Sequence, residues 1–240
     1  MNTDTNIRVR RRALVTGTAV LALAAGVLSA APALASAKTT NLHGTLQLAP
    51  GKYVSAKGKV KAGYAGSYFR MILPGGLDQY FTNANSKAND KTYTLFVPGK
   101  QGGLVLGKYQ PPPTPAFSSS GDALASSIVK PEEFAGVYFS ISTAPVDAQG
   151  GQHDPTPSLE LHGTSTLTGN FDAWTAGWNS IYFNQGSPKP GGAFPGFTKP
   201  VTGTYNAKTH AFTIVWYSQI IGGPFNDFTG YWHLQGTLKP

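Results

Sequence analysis

The sequence predicts an all-β protein, an antiparallel β-sandwich or β-barrel, with an N-terminal signal-peptide helix outside the fold. Three observations predict it. Charged residues are only 12% of the chain, while glycine (29) and proline (18) are abundant among 240 residues. Short runs alternate apolar and polar residues with period two, the spacing at which a strand buries one face. Clusters of turn residues separate these runs at short intervals, as in all-β proteins.

Residues 1–37 stand apart from this pattern. Arg8, Arg10, Arg11 and Arg12 form a basic stretch, Ala13 to Leu28 run without a charge, and Ala35-Ser36-Ala37 supplies small residues for a cut before Lys38. That order is the signature of a cleaved secretory signal peptide. Arg11-Arg12-Ala13-Leu14-Val15 also fits the twin-arginine pattern, so Sec and twin-arginine export both stay open. The export signal makes the expected location extracellular or at the cell envelope.

The strands follow in residues 38–240. Leu42–Leu48, Gly63–Leu73, Lys91–Val97, Val137–Thr143 and Leu159–Leu167 each alternate, and Asp172–Phe183 reads as one or two more. Gln110-Pro111-Pro112-Pro113-Thr114-Pro115 reads as an extended connector, since proline fixes φ and donates no hydrogen bond. Asp122–Val129 reads as a short helix capped by Ser120. The connector at 110–121 leaves two lobes conceivable, but one domain over 38–240 is favoured, because the first half alone offers few strands for a core. Val201 to Leu238 reads as a three-stranded meander. Phe212, Ile214, Trp216 and Ile220 share one face there, as do Trp232, Leu234 and Leu238, with Tyr231, His233 and Gln235 opposite.

Composition excludes several classes. There is no cysteine, hence no disulfide, thiolate zinc site or cysteine nucleophile. A secreted protein without disulfides suits a bacterial source better than a eukaryotic one. Residues 1–37 carry four arginines and one aspartate, so +5 of the net +8 belongs to the remainder. That is well short of a nucleic-acid binder's charge density. No second long apolar segment follows the signal, so no transmembrane anchor is expected after cleavage.

No motif carries a recognisable chemistry. There is no G-x-S-x-G and no H-E-x-x-H, and His43, His153, His162, His210 and His233 are scattered. Glu160, with His162 on the same strand face, is the most suggestive acid for a glycosidase, which needs two carboxyls about 5 Å or about 6.5–9.5 Å apart. Asp147 to Asp154 is a Gly-containing loop but lacks the acid spacing of a calcium loop, so neither metal nor cofactor is expected.

Two patterns point to binding. Trp174, Trp178 and Tyr182 are the aromatic candidates, since two tryptophans four apart share a strand face and exposed rings can stack on sugar. Lys57, Lys59 and Lys61 alternate and would form a stripe on one strand face, able to touch acidic wall polymer. A core role for the tryptophans and an edge-guarding role for the lysines compete with these readings.

The segment Thr229-Gly230-Tyr231-Trp232-His233-Leu234-Gln235-Gly236-Thr237, after Val201-Thr-Gly-Thr-Tyr, resembles the end of exported bacterial, notably actinobacterial, all-β proteins with no assigned function. The resemblance covers about the last forty residues and implies export and fold class only. The leading expectation is a non-catalytic binding protein for glycan or wall polymer. An extracellular polysaccharide hydrolase or lyase, and a barrel holding a small apolar ligand, are the alternatives.

Overall fold

A computed structural model describes residues 38–58, 61–75, 79–193 and 195–240. The expected signal peptide, 1–37, and Lys59 lie outside the described residues. The strands are β1 (Thr39–Leu42), β2 (Thr45–Leu48), β3 (Lys52–Val54), β4 (Gly63–Ala65), β5 (Tyr68–Ile72), β6 (Thr94–Leu95), β7 (Gly103–Val105) and β8 (Glu132–Phe134) in the first half. There follow β9 (Val137–Thr143), β10 (Ser158–His162), β11 (Thr166–Asn170), β12 (Trp174–Trp178), β13 (Ile181–Asn184), β14 (Lys199–Tyr205), β15 (Ala211–Gln219) and β16 (Thr229–Lys239). Among the described residues there is no α-helix, and every strand pairing is antiparallel.

A large sheet runs in the order β1-β10-β11-β14-β15-β16-β2-β7, with β5 also on β16 and β6 on β5. Both β2 and β5 pair with the same side of the long strand β16, one at each end. A second sheet has the order β13-β12-β9-β8, and β3 and β4 form a separate hairpin.

The chain itself forces the large sheet to curl. Gly44, at φ +109, breaks the 42–48 run into β1 and β2, which lie six strand spacings apart in the sheet order. In a flat sheet that separation is about 29 Å. Three residue steps from Leu42 to Thr45 span at most about 11 Å. The ends of the sheet must therefore approach one another. Leu106 N donates to Gly44 O at 2.9 Å and Gly107 N to Pro157 O at 2.8 Å, linking the β7 end to the β1–β10 end. The outer side of β7 is covered by a side chain: Gln110 accepts from Val105 N at 2.9 Å and donates to Gly103 O at 2.9 Å.

The smaller sheet packs into this curl through aromatic rings. Phe69 of β5 meets Phe134 and Phe139 of β8 and β9 at 5.8 Å each. Trp174 of β12 meets Trp216 and Trp232 edge-on at 5.2 and 5.5 Å, and those two stack at 5.8 Å. The meander β14–β15–β16 forms as its period-two pattern predicts, with Phe212, Ile214, Trp216, Trp232, Leu234 and Leu238 buried.

The expected helix over 122–129 is absent. Its backbone instead lies extended against 97–101, with Lys100 N donating to Ser126 O at 2.8 Å and Gly99 N to Ile128 O at 2.9 Å. Asp122 accepts from Tyr138 N at 3.0 Å across the chain, and the expected cap Ser120 donates its hydroxyl to the Asp122 carboxylate at 2.7 Å. An eight-residue helix is marginal by itself and yields to such pairing.

Gly236 marks the tightest strand approach. A Cβ there would overlap the Gln47 carbonyl and lie 3.1 Å from Ala49 N, all rigid backbone. Gly236→Ala is therefore expected to cost about 2 kcal/mol or more in denaturant unfolding. Gly63→Ala, where a Cβ meets nothing within 4 Å, should change stability by less than about 0.5 kcal/mol. Equal effects would refute the close approach.

Candidate functional site

The outward side chains of three neighbouring strands form one aromatic surface. Period two sends Trp216, Trp232, Phe69 and Met71 inward, so Tyr217, Tyr231 and Arg70 face outward. Their register aligns them in one row: Tyr217 lies opposite Tyr231, and Tyr231 opposite Arg70. Lys199 lies opposite Tyr217 on β14 and extends the row. In the next row His233 lies opposite Tyr68.

The rings touch in sequence across the face. Tyr217 and Tyr231 have centroids 5.0 Å apart, Tyr231 and Tyr68 6.2 Å, Tyr68 and Tyr93 5.0 Å, Tyr93 and Tyr64 4.0 Å, and Tyr64 and Tyr53 5.4 Å. Arg70 lies over the Tyr80 ring at 3.2 Å and the Tyr93 ring at 4.1 Å, and its Nη2 donates to Thr92 Oγ1 at 2.8 Å. Both cation–π contacts hold the guanidinium in place. His233 stacks on Tyr68 at 4.5 Å and its Nδ1 donates to Gly66 O at 2.8 Å. Tyr53 is 53% exposed, Tyr64, Tyr80, Tyr93, Tyr217 and Tyr231 are half-buried, and Tyr68 is buried.

Burial pushes the Tyr68, Tyr217 and Tyr231 hydroxyls above the ordinary tyrosine value, so they stay protonated and able to donate. Burial also lowers His233, which keeps its imidazole neutral at pH 7. The face therefore offers rings, neutral hydroxyls and one fixed cation. It can stack on apolar C–H surface and hydrogen-bond the hydroxyls beside it.

The residues expected from sequence fall elsewhere. Trp174 and Trp178 share a face, as their spacing predicts, but β12 lies inside the smaller sheet and that face is the core. Trp174 is 0% exposed beneath Trp216 and Trp232, and Trp178 is buried with its indole donating to Phe134 O at 2.7 Å. Tyr182 is half-buried, edge-on to Phe117 at 5.0 Å. Lys57 and Lys61 are exposed on the connection between β3 and β4, outside both strands, so no strand stripe forms among the described residues. Glu160 and His162 do meet, at 3.6 Å, on the exposed side of β10.

The tyrosine face was half-visible in the sequence. Tyr231, His233 and Gln235 show as one polar face of β16, but their meeting with Tyr68 and Arg70 depends on β5 joining the far side of that strand.

Two other features bear on chemistry. An apolar cavity of about 40 Å³ lies among Phe69, Phe134, Phe139, Trp178, Phe225 and Trp232. Ligand pockets run to about 300–1,000 Å³, and this cavity is well below that range. A groove of about 330 Å³ is lined by Asp147, Gln149, Asn184, Lys189, Pro190 and Ile221. Asp147 is committed to structure there, accepting from Asn184 Nδ2 at 3.0 Å, Gln149 N at 3.1 Å and Gly150 N. Among the described residues no three His, Asp or Glu side chains converge to hold a metal ion. No helix among them is long and apolar enough to cross a membrane.

Compared with family models, curated proteins and solved structures, the chain matches none.

Proposed function

We propose that this protein is exported from a bacterium and acts outside the cell or at its envelope as a non-catalytic binding protein for glycan. The face built from Tyr53, Tyr64, Tyr93, Tyr217, Tyr231 and Arg70 is its contact surface. The carrying observation is a run of ring contacts that leads from Tyr217 and Tyr231 on the outer side of the large sheet, past the buried Tyr68, to Tyr93 and to Tyr64 and Tyr53 of the β3–β4 hairpin. Tyrosine gives large rigid contact area at low entropy cost, and tyrosine and arginine dominate binding hot spots. The basic signal stretch and Ala-x-Ala ending support export, and the C-terminal resemblance agrees with it.

The test is co-sedimentation of the protein with purified cell wall and insoluble polysaccharides at low and high salt. Stacking on neutral sugar predicts binding that persists in high salt. Tyr53→Ala with Tyr217→Ala is expected to weaken it at least tenfold, while leaving the unfolding midpoint within a few degrees. Binding that vanishes in salt would move recognition to Lys57, Lys61 and Lys199. Binding unchanged by the double substitution would overturn the tyrosine face.

A further inference from the structure

The connection between β9 and β10 carries an Asp-Pro bond whose acid is enclosed and unbonded. Asp154 is 0% exposed, and neither of its carboxyl oxygens has a hydrogen-bond partner among the described residues. Its backbone, by contrast, is held on both sides. Asp154 N donates to Pro145 O at 3.0 Å, and the Tyr109 hydroxyl donates to Asp154 O at 2.6 Å. Beyond Pro155, Gly107 N donates to Pro157 O at 2.8 Å. His153 and Pro155 are exposed, so solvent reaches both flanks of the bond but not the carboxyl between them. A buried carboxyl that bonds nothing costs stability, and packing alone gives no reason for it.

The free carboxyl and the carbonyl that Tyr109 holds belong to one residue. Attack of the one on the other closes a five-membered ring, so no second side chain has to approach. No hydrogen bond has to break before the carboxyl turns onto its own carbonyl. The Tyr109 hydroxyl already sits on the oxygen where negative charge would develop. Proline supplies a tertiary amide nitrogen, which takes up a proton more readily than a secondary one. Enclosure also keeps the acid neutral: burial first, then repulsion from Asp172 and Asp147, raises Asp154 to about 7. Nucleophilic oxygen and transferable proton are then on the same group.

We propose that the folded chain cuts itself between Asp154 and Pro155, with the Asp154 carboxyl as nucleophile and Tyr109 polarising the carbonyl it attacks. The carboxyl hydroxyl oxygen bonds to the Asp154 carbonyl carbon, and its proton passes to the Pro155 nitrogen. The C–N bond breaks with its electron pair on nitrogen. This leaves a cyclic anhydride on Asp154 and a secondary amine on Pro155. One water, admitted at the exposed Pro155 side, opens the anhydride to two carboxyls. The fold holds the reacting groups in place, which is the advantage of an intramolecular step. The two pieces stay together after the cut. Strands β1, β2, β5 and β9 lie before it, and each pairs with a strand that lies after it, β10, β16, β16 and β12 respectively. The product is a two-chain molecule with the same sheets.

The test is prolonged incubation of the purified protein at about pH 5.5, folded and in urea, followed by denaturing gels and mass spectrometry. Two fragments are expected, one ending at Asp154 and one beginning at Pro155, while size-exclusion chromatography still shows one species of unchanged size. Cutting should run at least tenfold faster in the folded protein than in urea. Pro155→Ala and Asp154→Asn should stay intact, and Tyr109→Phe should be cut at least tenfold more slowly. In oxygen-labelled water the label should enter both the α-carboxyl and the side-chain carboxyl of Asp154, because water can open the anhydride at either carbonyl. Label in the α-carboxyl alone would mean direct hydrolysis and overturn the anhydride. Fragments that persist in Asp154→Asn would mean a contaminating protease and count against the proposal. A wild-type rate in Tyr109→Phe would overturn the role of that hydroxyl. An intact chain, or equal cutting in urea, would overturn self-cleavage by the fold.

Discussion

Trp216→Ala is expected to destabilise the protein by about 3–5 kcal/mol, the range for removing a large ring from a packed core. Trp216 is fully buried and stands where both sheets meet. It contacts Trp174 at 5.2 Å, Trp232 at 5.8 Å and Phe171 at 5.2 Å. Its indole N–H donates to Gln185 O at 2.9 Å, while the Gln185 side-chain oxygen accepts from Trp232 Nε1 at 3.3 Å. Truncation would leave a cavity and strip the Gln185 carbonyl of its partner, so two penalties add. Urea unfolding followed by fluorescence of the remaining tryptophans measures it. Trp216→Phe, which keeps most of the volume, should cost clearly less. A loss under about 1 kcal/mol for the alanine variant would mean that the sheets are not joined through this ring.

Stability should fall as pH rises from about 4 to about 7, and Asp154→Asn should remove much of that fall. Asp154 is raised from 3.8 to about 7 by burial first, then by Asp172 and Asp147. Below pH 4 the folded and unfolded chains both hold the proton, and the group carries no penalty. Between the two values the unfolded chain ionises and the folded chain does not, so stability is lost; above 7 the loss is complete. The full shift corresponds to about 4 kcal/mol, shared with the coupled acids. Asn cannot ionise, so the variant should gain on the wild type at pH 8. It should gain nothing at pH 4, where its unpartnered amide is a burden. Denaturant melts of both proteins across this range give the comparison. Parallel pH profiles for the two proteins would refute a buried, proton-holding Asp154.

Where side-chain alternation runs unbroken, as from Val201 to Leu238, the strands could be read directly, because burial on one face imposes period two. The same rule could not show that the 42–48 run divides at Gly44, since a single positive φ reverses the path without disturbing the pattern. Nor could it tell the inner tryptophans from the outer tyrosines as ligand candidates. Trp174 and Trp178 satisfy the spacing of a shared face, but which face meets the other sheet depends on β12 having neighbours on both sides. The tyrosine face draws residues from five strands and from two segments outside them, so it exists only once register is set. The burial of Asp154, Asp172 and Lys189 was hidden as well, because nothing in their local sequence marks these charged side chains as enclosed.

The carboxamide of Gln110 has a consequence for how copies of this protein behave together. By accepting from Val105 and donating to Gly103, it occupies the two backbone positions that an incoming strand would use. A strand left open on that side would be a template for another molecule, and chains growing by such additions end as fibrils. One glutamine thus closes the β7 edge of the sheet. With that side of β7 closed, copies brought to high local concentration remain a population of separate molecules.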